Sequence, residues 1–257
     1  MCELFGMSAA RNIYLNDLLR EFFSHGRAHP NGWGMAFFRG NSVSVEKEPV
    51  CSCDSVYLKR RLRADICTDK MIAHIRLATK GNMQYENNHP FVLEDSSGQN
   101  WTLAHNGTIF ECTALNAYMH QQTGSTDSER ILCHIVDRIN KERKQLGRNL
   151  TEEERFRILD EIIVSITPEN KVNLLVYDGK WLYVHTNCED SLYYYEHGDG
   201  VIFATVPLSC SGWQNVPQNT LFAYRDGAKM AEGTTHQNSY HEDEEKLRAL
   251  FLDYAFL

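Results

Sequence analysis

The order of hydrophobic patterns along this chain predicts an α+β fold in which antiparallel sheets are covered by helices. Strand-like runs come in groups with helical blocks between them, whereas a parallel sheet needs strands and helices to alternate one by one. The 257 residues, 42% hydrophobic and 23% charged, have ordinary globular composition and enough length for a sizeable core. There are six prolines and no repeat, low-complexity tract or Pro/Gly/Ser linker, so residues 1–257 are expected to form a single domain.

The first apolar strand opens at once, with Cys2 at its start. Residues 12–24 carry Leu15, Leu18, Leu19, Phe22 and Phe23 at helical spacing, and Gly26 follows as a stop. Trp33–Arg39, Ser42–Lys47, Lys70–Ile75 and Trp101–His105 are strand-like. A helical block covers residues 111–122. The next helix starts at Ser125-Thr126-Asp127, a capping segment with Glu129 just behind it, and runs through Ile131, Leu132, Ile135, Val136 and Ile139. Thr151-Glu152-Glu153-Glu154 opens another, with Phe156, Ile158, Leu159, Ile162 and Ile163 on its apolar side. Strands return at Val172–Tyr177, Trp181–His185, Val201–Thr205 and Thr220–Arg225, the first two joined by the hairpin signal Asp178-Gly179. Residues 241–255 have the spacing of an amphipathic helix.

A net charge of −8, with both signs mixed along the chain, argues against nucleic acid as a partner. No apolar run approaches the ~20 residues of a membrane span, so no membrane association is expected. The N-terminus lacks the basic start and long apolar stretch of a signal peptide, and Glu3 interrupts it early. The chain therefore reads as cytoplasmic, and its eight cysteines are expected to be free thiols. Without a secretory signal, the glycosylation patterns at Asn106 and Asn149 carry no meaning.

Cys2 directly follows the initiator methionine. Removal of Met1 would put a thiol and a free α-amine on one residue, and the amine could serve as base for the thiol with no other side chain. A lone cysteine near a terminus is usually a small buried residue. Four further segments stand out: His29-Pro30-Asn31-Gly32-Trp33-Gly34, His74-Ile75-Arg76-Leu77-Ala78-Thr79, His105-Asn106-Gly107-Thr108 and Thr126-Asp127-Ser128-Glu129. Each combines small or polar residues at a strand end or helix start, where backbone N–H groups are exposed. Singly, each has a structural explanation: a turn at Asn106-Gly107, a helix cap at Asp127, a surface ion pair at Arg76.

Together with Cys2, these segments resemble the class II glutamine amidotransferases, N-terminal-nucleophile hydrolases whose cysteine follows the initiator methionine. The motifs run in the family's order from residue 2 to about 129. Val176-Tyr177-Asp178-Gly179, Ala204-Thr205-Val206-Pro207-Leu208 and the stretch from Trp213 to Arg225 extend the likeness to stand-alone members. The resemblance implies a four-layer αββα sandwich of two antiparallel sheets, the Ntn-hydrolase fold. It also implies hydrolysis of glutamine through a Cys2 thioester to glutamate and ammonia. Asn106 and Gly107 then supply the oxyanion donors, Arg76 binds the α-carboxylate, Asp127 binds the α-ammonium, and Thr79 lines the same end of the pocket. No cofactor is implied. The partners implied are glutamine or a γ-glutamyl small molecule, and an ammonia-accepting enzyme if the ammonia is used.

Leu77 and Lys80 stand where some members carry Trp and His, which puts the route to a synthase partner in doubt. Asn31 stands where Asp is common in small members. Cys51, Cys53 and Cys67 fit no tetrahedral zinc spacing, so no metal is expected. The clamps read only the glutamyl half of a substrate, which leaves another γ-glutamyl amide or peptide as an alternative. A non-catalytic glutamine-binding protein is a further alternative, against which intact Cys2, Asn106 and Gly107 argue.

Overall fold

The computed structural model describes residues 2–79, 81–110 and 112–243. Along the chain, β1 (Glu3–Tyr14) and α1 (Asn16–Ser24) precede the hairpin of β2 (Trp33–Arg39) and β3 (Ser42–Glu48), then α2 (Val56–Arg61) and β4 (Cys67–Ile75). A second hairpin, β5 (Phe91–Glu94) and β6 (Asn100–Thr108), leads into α3 (Thr113–Asn116), α4 (Asp127–Leu146) and α5 (Glu152–Ile166). Next come β7 (Lys171–Tyr177), β8 (Leu182–His185), β9 (Tyr193–His197) and β10 (Gly200–Ala204). The last described elements are β11 (Gln214–Asn215), β12 (Phe222–Arg225) and β13 (Ala228–Glu232).

Two antiparallel sheets result, in the orders β11-β9-β10-β1-β4-β2-β3 and β13-β12-β8-β7-β6-β5. Strand alternation sorts the side chains into three apolar layers. On β1, Leu4 faces the space between the sheets with Ala104, Leu175 and Phe203, while Phe5 faces outward onto Leu19 and Phe22 of α1. On β6 and β7, Leu103, Leu174 and Val176 face α4 and α5, where they meet Ile131, Ile135 and Ile162. Each such fully buried side chain contributes roughly 1.5–3 kcal/mol. The layers are therefore helix, sheet, sheet, helix, as expected.

The helix starts were legible. Thr126 caps α4 by accepting from Glu129 N (3.2 Å), and Thr151 with Glu154 forms a reciprocal capping box on α5. Asp178-Gly179 does sit in the β7–β8 connection, where Asp178 Oδ1 accepts from Trp181 N (2.7 Å). The helix expected over 12–24 begins only at Asn16, because Ile13 and Tyr14 pair with Thr68 and Cys67 beyond an irregularity in β1. Asn16 ends the strand by accepting from Ile66 N (2.7 Å) and donating to Leu62 O and Ala64 O. The block at 111–122 contributes only the four residues of α3, with turns after it. Short strands β5, β9, β11 and β13, and helix α2, had no clear periodic signal. Of the expected terminal helix, His241–Asp243 are not helical and the rest lies outside the described residues.

Candidate active site

Strand β1 lies between β4 and β10, and its pairing of Glu3 with Ile75 brings Cys2 against the chain just past β4. The Cys2 thiol donates to Leu77 O (3.3 Å) and accepts from Leu77 N–H (3.4 Å). Burial pushes this thiol up, while the Leu77 backbone and the Arg76 charge oppose the shift.

Arg76 is held by its backbone and by its side chain. Its N–H donates to Gly32 O (2.8 Å) and its carbonyl accepts from Asn31 N (3.0 Å), as a continuation of the β2–β4 ladder. The buried guanidinium donates to Asn82 O (3.1 Å) and Gly81 O (2.9 Å). Asn31 fixes the turn beyond: its Oδ1 accepts from Ala78 N (2.9 Å) and its Nδ2 donates to Met83 Sδ (3.2 Å). An Asp at position 31 would keep the first contact and lose the second, which is the physical consequence of that departure.

The facing sheet supplies the opposite wall. Alternation puts Asn106, two residues beyond Ala104, on the inter-sheet side of β6, the side that Cys2 faces two residues before Leu4. Asn106 is 1% exposed, and its Oδ1 has no hydrogen-bond partner. At Gly107 the strands approach closely: a Cβ there would stand 2.0 Å from Lys171 O and 2.4 Å from His105 Nε2. Thr108 Oγ1 lies 3.4 Å from Thr79 Oγ1, joining the two walls. The next residue, Ile109, donates its N–H to Asp127 Oδ2 (2.7 Å), and Ser128 N donates to Asp127 Oδ1 (3.0 Å). Asp127 is thus a buried carboxylate at the positive end of α4 with two backbone donors. His105 Nε2 bonds to Lys171 O (3.1 Å), so its proton is on Nε2 and Nδ1 accepts from Ser128 Oγ (3.0 Å).

One small cavity of about 20 Å³ collects Cys2, Arg76, Thr79, Gly107 and Asp127 in its wall. Five of the six expected site residues meet there, and Asn106 is not among the lining residues. A larger cleft of about 500 Å³ among Tyr194, Phe222 and Tyr224 contains none of them. His89 also lines the small cavity and packs against His74 with ring centroids 4.1 Å apart. Burial, with Arg76 nearby, holds both rings neutral. Asn31, His89, His105 and Ser128 were not assigned roles from sequence. The first and the last two lie inside the motifs, whereas His89 sits in an Asn-Asn-His-Pro run whose polarity was the only signal.

Cys51 and Cys53 donate to carbonyls at the end of α1 and beyond, Gly26 O (3.2 Å) and Ser24 O (3.4 Å). Among the described residues no cluster of three His, Cys, Asp or Glu could hold a metal. No described helix is long and apolar enough to cross a membrane.

The profile of the class II glutamine amidotransferases matches residues 1–198. A Haemophilus influenzae protein, provisionally named a glutamine amidotransferase, is 28% identical over 269 residues, covering 90% of this chain and 87% of its own. A Pseudomonas aeruginosa structure described as a predicted glutamine amidotransferase superposes with TM-score 0.61 at 22% identity, over 90% of this chain and 100% of that one. The glutamine phosphoribosylpyrophosphate amidotransferase of Bacillus subtilis superposes with TM-score 0.67 at 17% identity, over 93% of this chain and 50% of the other. At these identities the superpositions speak to the fold, which they share with this chain.

Proposed function

The chain belongs to the class II glutamine amidotransferases, and from that premise we propose that it hydrolyses the side-chain amide of glutamine to glutamate and ammonia. One observation carries the reading: Cys2, Arg76, Gly107 and Asp127, from distant segments, line a single cavity. In the proposed reaction Cys2 Sγ attacks the amide carbon. Once Met1 is removed, the α-amine of Cys2 takes the thiol proton and returns it to the leaving nitrogen, which departs as ammonia. Water then attacks the thioester, the amine again accepting a proton, and the C–S bond breaks to regenerate the thiol and release glutamate.

Asn106 and the Gly107 N–H are the proposed donors to the tetrahedral oxygen. A carboxylate offers about four acceptor sites, so Asp127 with two backbone donors keeps capacity for an α-ammonium. Arg76 is the proposed partner of the α-carboxylate, with Thr79 beside it. The clamps touch only the glutamyl half, which leaves larger γ-glutamyl amides as the alternative substrates of the same site. We place the activity in the cytoplasm, in a single domain over residues 1–257, with the ammonia released to solution or to a partner enzyme.

The deciding experiment measures glutamate release from glutamine and a panel of γ-glutamyl amides, with Cys2→Ala as the control. Turnover of at least one compound that is lost in Cys2→Ala is the expected result. Release that persists in Cys2→Ala, or none from any compound by processed protein, would overturn the proposal.

A further inference from the structure

We propose that Asn87 is a positioning residue that locks the carboxylate clamp to the ammonium clamp and so sets recognition of the substrate's α-groups. This rests on the functional reading of Arg76 and Asp127 given above. Asn87 is fully buried at the end of a single 3-10 turn, Tyr85–Asn87, and its side chain is hydrogen-bonded to both Asn82 and Ser125. Nδ2 donates to Asn82 O (3.0 Å) and to Ser125 Oγ (3.1 Å), and Oδ1 accepts from Ser125 N (2.8 Å). Asn82 O is the carbonyl that also accepts from the Arg76 guanidinium. Ser125 lies two residues before Asp127, next to the Thr126 cap that starts α4. One amide thus spans the gap between the two charged groups: Arg76, Asn82 carbonyl, Asn87, Ser125, Asp127.

A second observation shows that the fit is built around this side chain. Glycine stands on both sides of it. A Cβ at Gly124 would lie 2.4 Å from Asn87 Oδ1, and one at Gly81 would lie 3.0 Å from Asn87 Nδ2. Glu129 fixes the same loop from the helix by accepting from Thr123 N (2.7 Å) and Gly124 N (2.8 Å). Only an amide of this length satisfies the site. Asp would keep the acceptor for Ser125 N but would set a carboxylate against the Asn82 carbonyl. Gln is one methylene too long for a slot bounded by Gly81 and Gly124. Because the amide donates to one loop and accepts from the other, the spacing of the two clamps depends on it, while the Cys2 sulfur, held by Leu77, does not.

The test uses Asn87→Ala, Asn87→Asp and Gly124→Ala, the last displacing the amide without deleting it. Three quantities are read for each. One is KM and kcat for glutamine; another is the kcat/KM ratio of glutamine to glutamine α-amide and to Nα-acetylglutamine. The third is the rate of Cys2 alkylation by iodoacetamide, which needs neither clamp. The expected result is a KM raised about 10- to 100-fold with kcat within about threefold. The two discrimination ratios should fall by a similar factor, with alkylation unchanged. Asn87→Asp should fall between wild type and Asn87→Ala, and it replaces Asn87→Ala if that variant does not fold. Unchanged KM and ratios in folded variants overturn the inference alone. A parallel loss of kcat, KM and alkylation also overturns it, since that marks a structural role. Wild-type enzyme that fails to discriminate among the three glutamines overturns the clamp reading and this inference together.

Discussion

Replacing Gly107 with Ala tests the oxyanion geometry through a steric contact that the fold itself defines. The added Cβ would stand 2.0 Å from Lys171 O, and ordinary contact needs about 3.4 Å, so β6 and β7 must separate there by about 1.4 Å. His105 cannot relieve the crowding, because its Nε2 is 2.4 Å from the same point and is bonded to Lys171 O. Gly107 pairs with Val172 of β7, so a separation of that size carries the proposed N–H donor with it by about 1 Å. A misplacement of about 1 Å costs on the order of 10²-fold in rate, and loss of an oxyanion donor costs about 10²–10³-fold. The expected outcome is a kcat lower by about 10²–10³ with KM changed much less, because Arg76 and Asp127 come from other elements. Overpacking of this kind costs about 1–3 kcal/mol, which a thermal melt should show as a modest fall with cooperative unfolding retained. Steady-state glutamate release, run beside the melt, is the assay. A folded Gly107→Ala enzyme with kcat within threefold of wild type would refute the argument.

Asn106→Ala should lower kcat by about 10²–10³ and leave KM near wild type; a change confined to KM would make Asn106 a binding residue. A glutamine-like electrophile should label Cys2 alone, as peptide mass mapping would show, while Cys51, Cys53 and Cys67 variants keep most activity. Asp127→Asn keeps an acceptor for Ile109 N and removes the charge, so it should raise the KM of glutamine by at least about tenfold yet barely affect Nα-acetylglutamine. His185 is held neutral by burial, its value lowered from 6.5 to about 3, with Nδ1–H donating to Val172 O (2.7 Å) and Nε2 bonded to His236 (3.1 Å). A base depressed in the folded state takes up protons preferentially when unfolded, so its stabilising contribution is complete above pH 6.5 and is lost as pH falls toward about 3. The loss reaches about 3 kcal/mol at pH 4, so the stability gap between wild type and His185→Asn in urea should shrink from pH 7 to pH 4; a constant gap would contradict the assignment.

Local rules were enough for the elements with strong patterns. Trp33–Arg39 is a strand at its predicted bounds, and the caps at Thr126 and Thr151 start α4 and α5 where their side chains satisfy free N–H groups. The ordered motifs, through their resemblance to the family, pointed to Cys2, Arg76, Thr79, Asn106, Gly107 and Asp127. What sequence could not supply was the register between distant strands. The pairing of Ile13 and Tyr14 with Thr68 and Cys67 converts the first turn of an apparent helix into strand, since a long-range ladder outweighs local periodicity. The approach of Gly107 to Lys171, and the staple of Asn87 between Asn82 and Ser125, exist only once two sheets and two loops pack together. Residue type decided which chemical groups this chain can bring to a site. Tertiary packing decided their distances, because hydrogen bonds between segments tens of residues apart leave no local periodicity in the sequence.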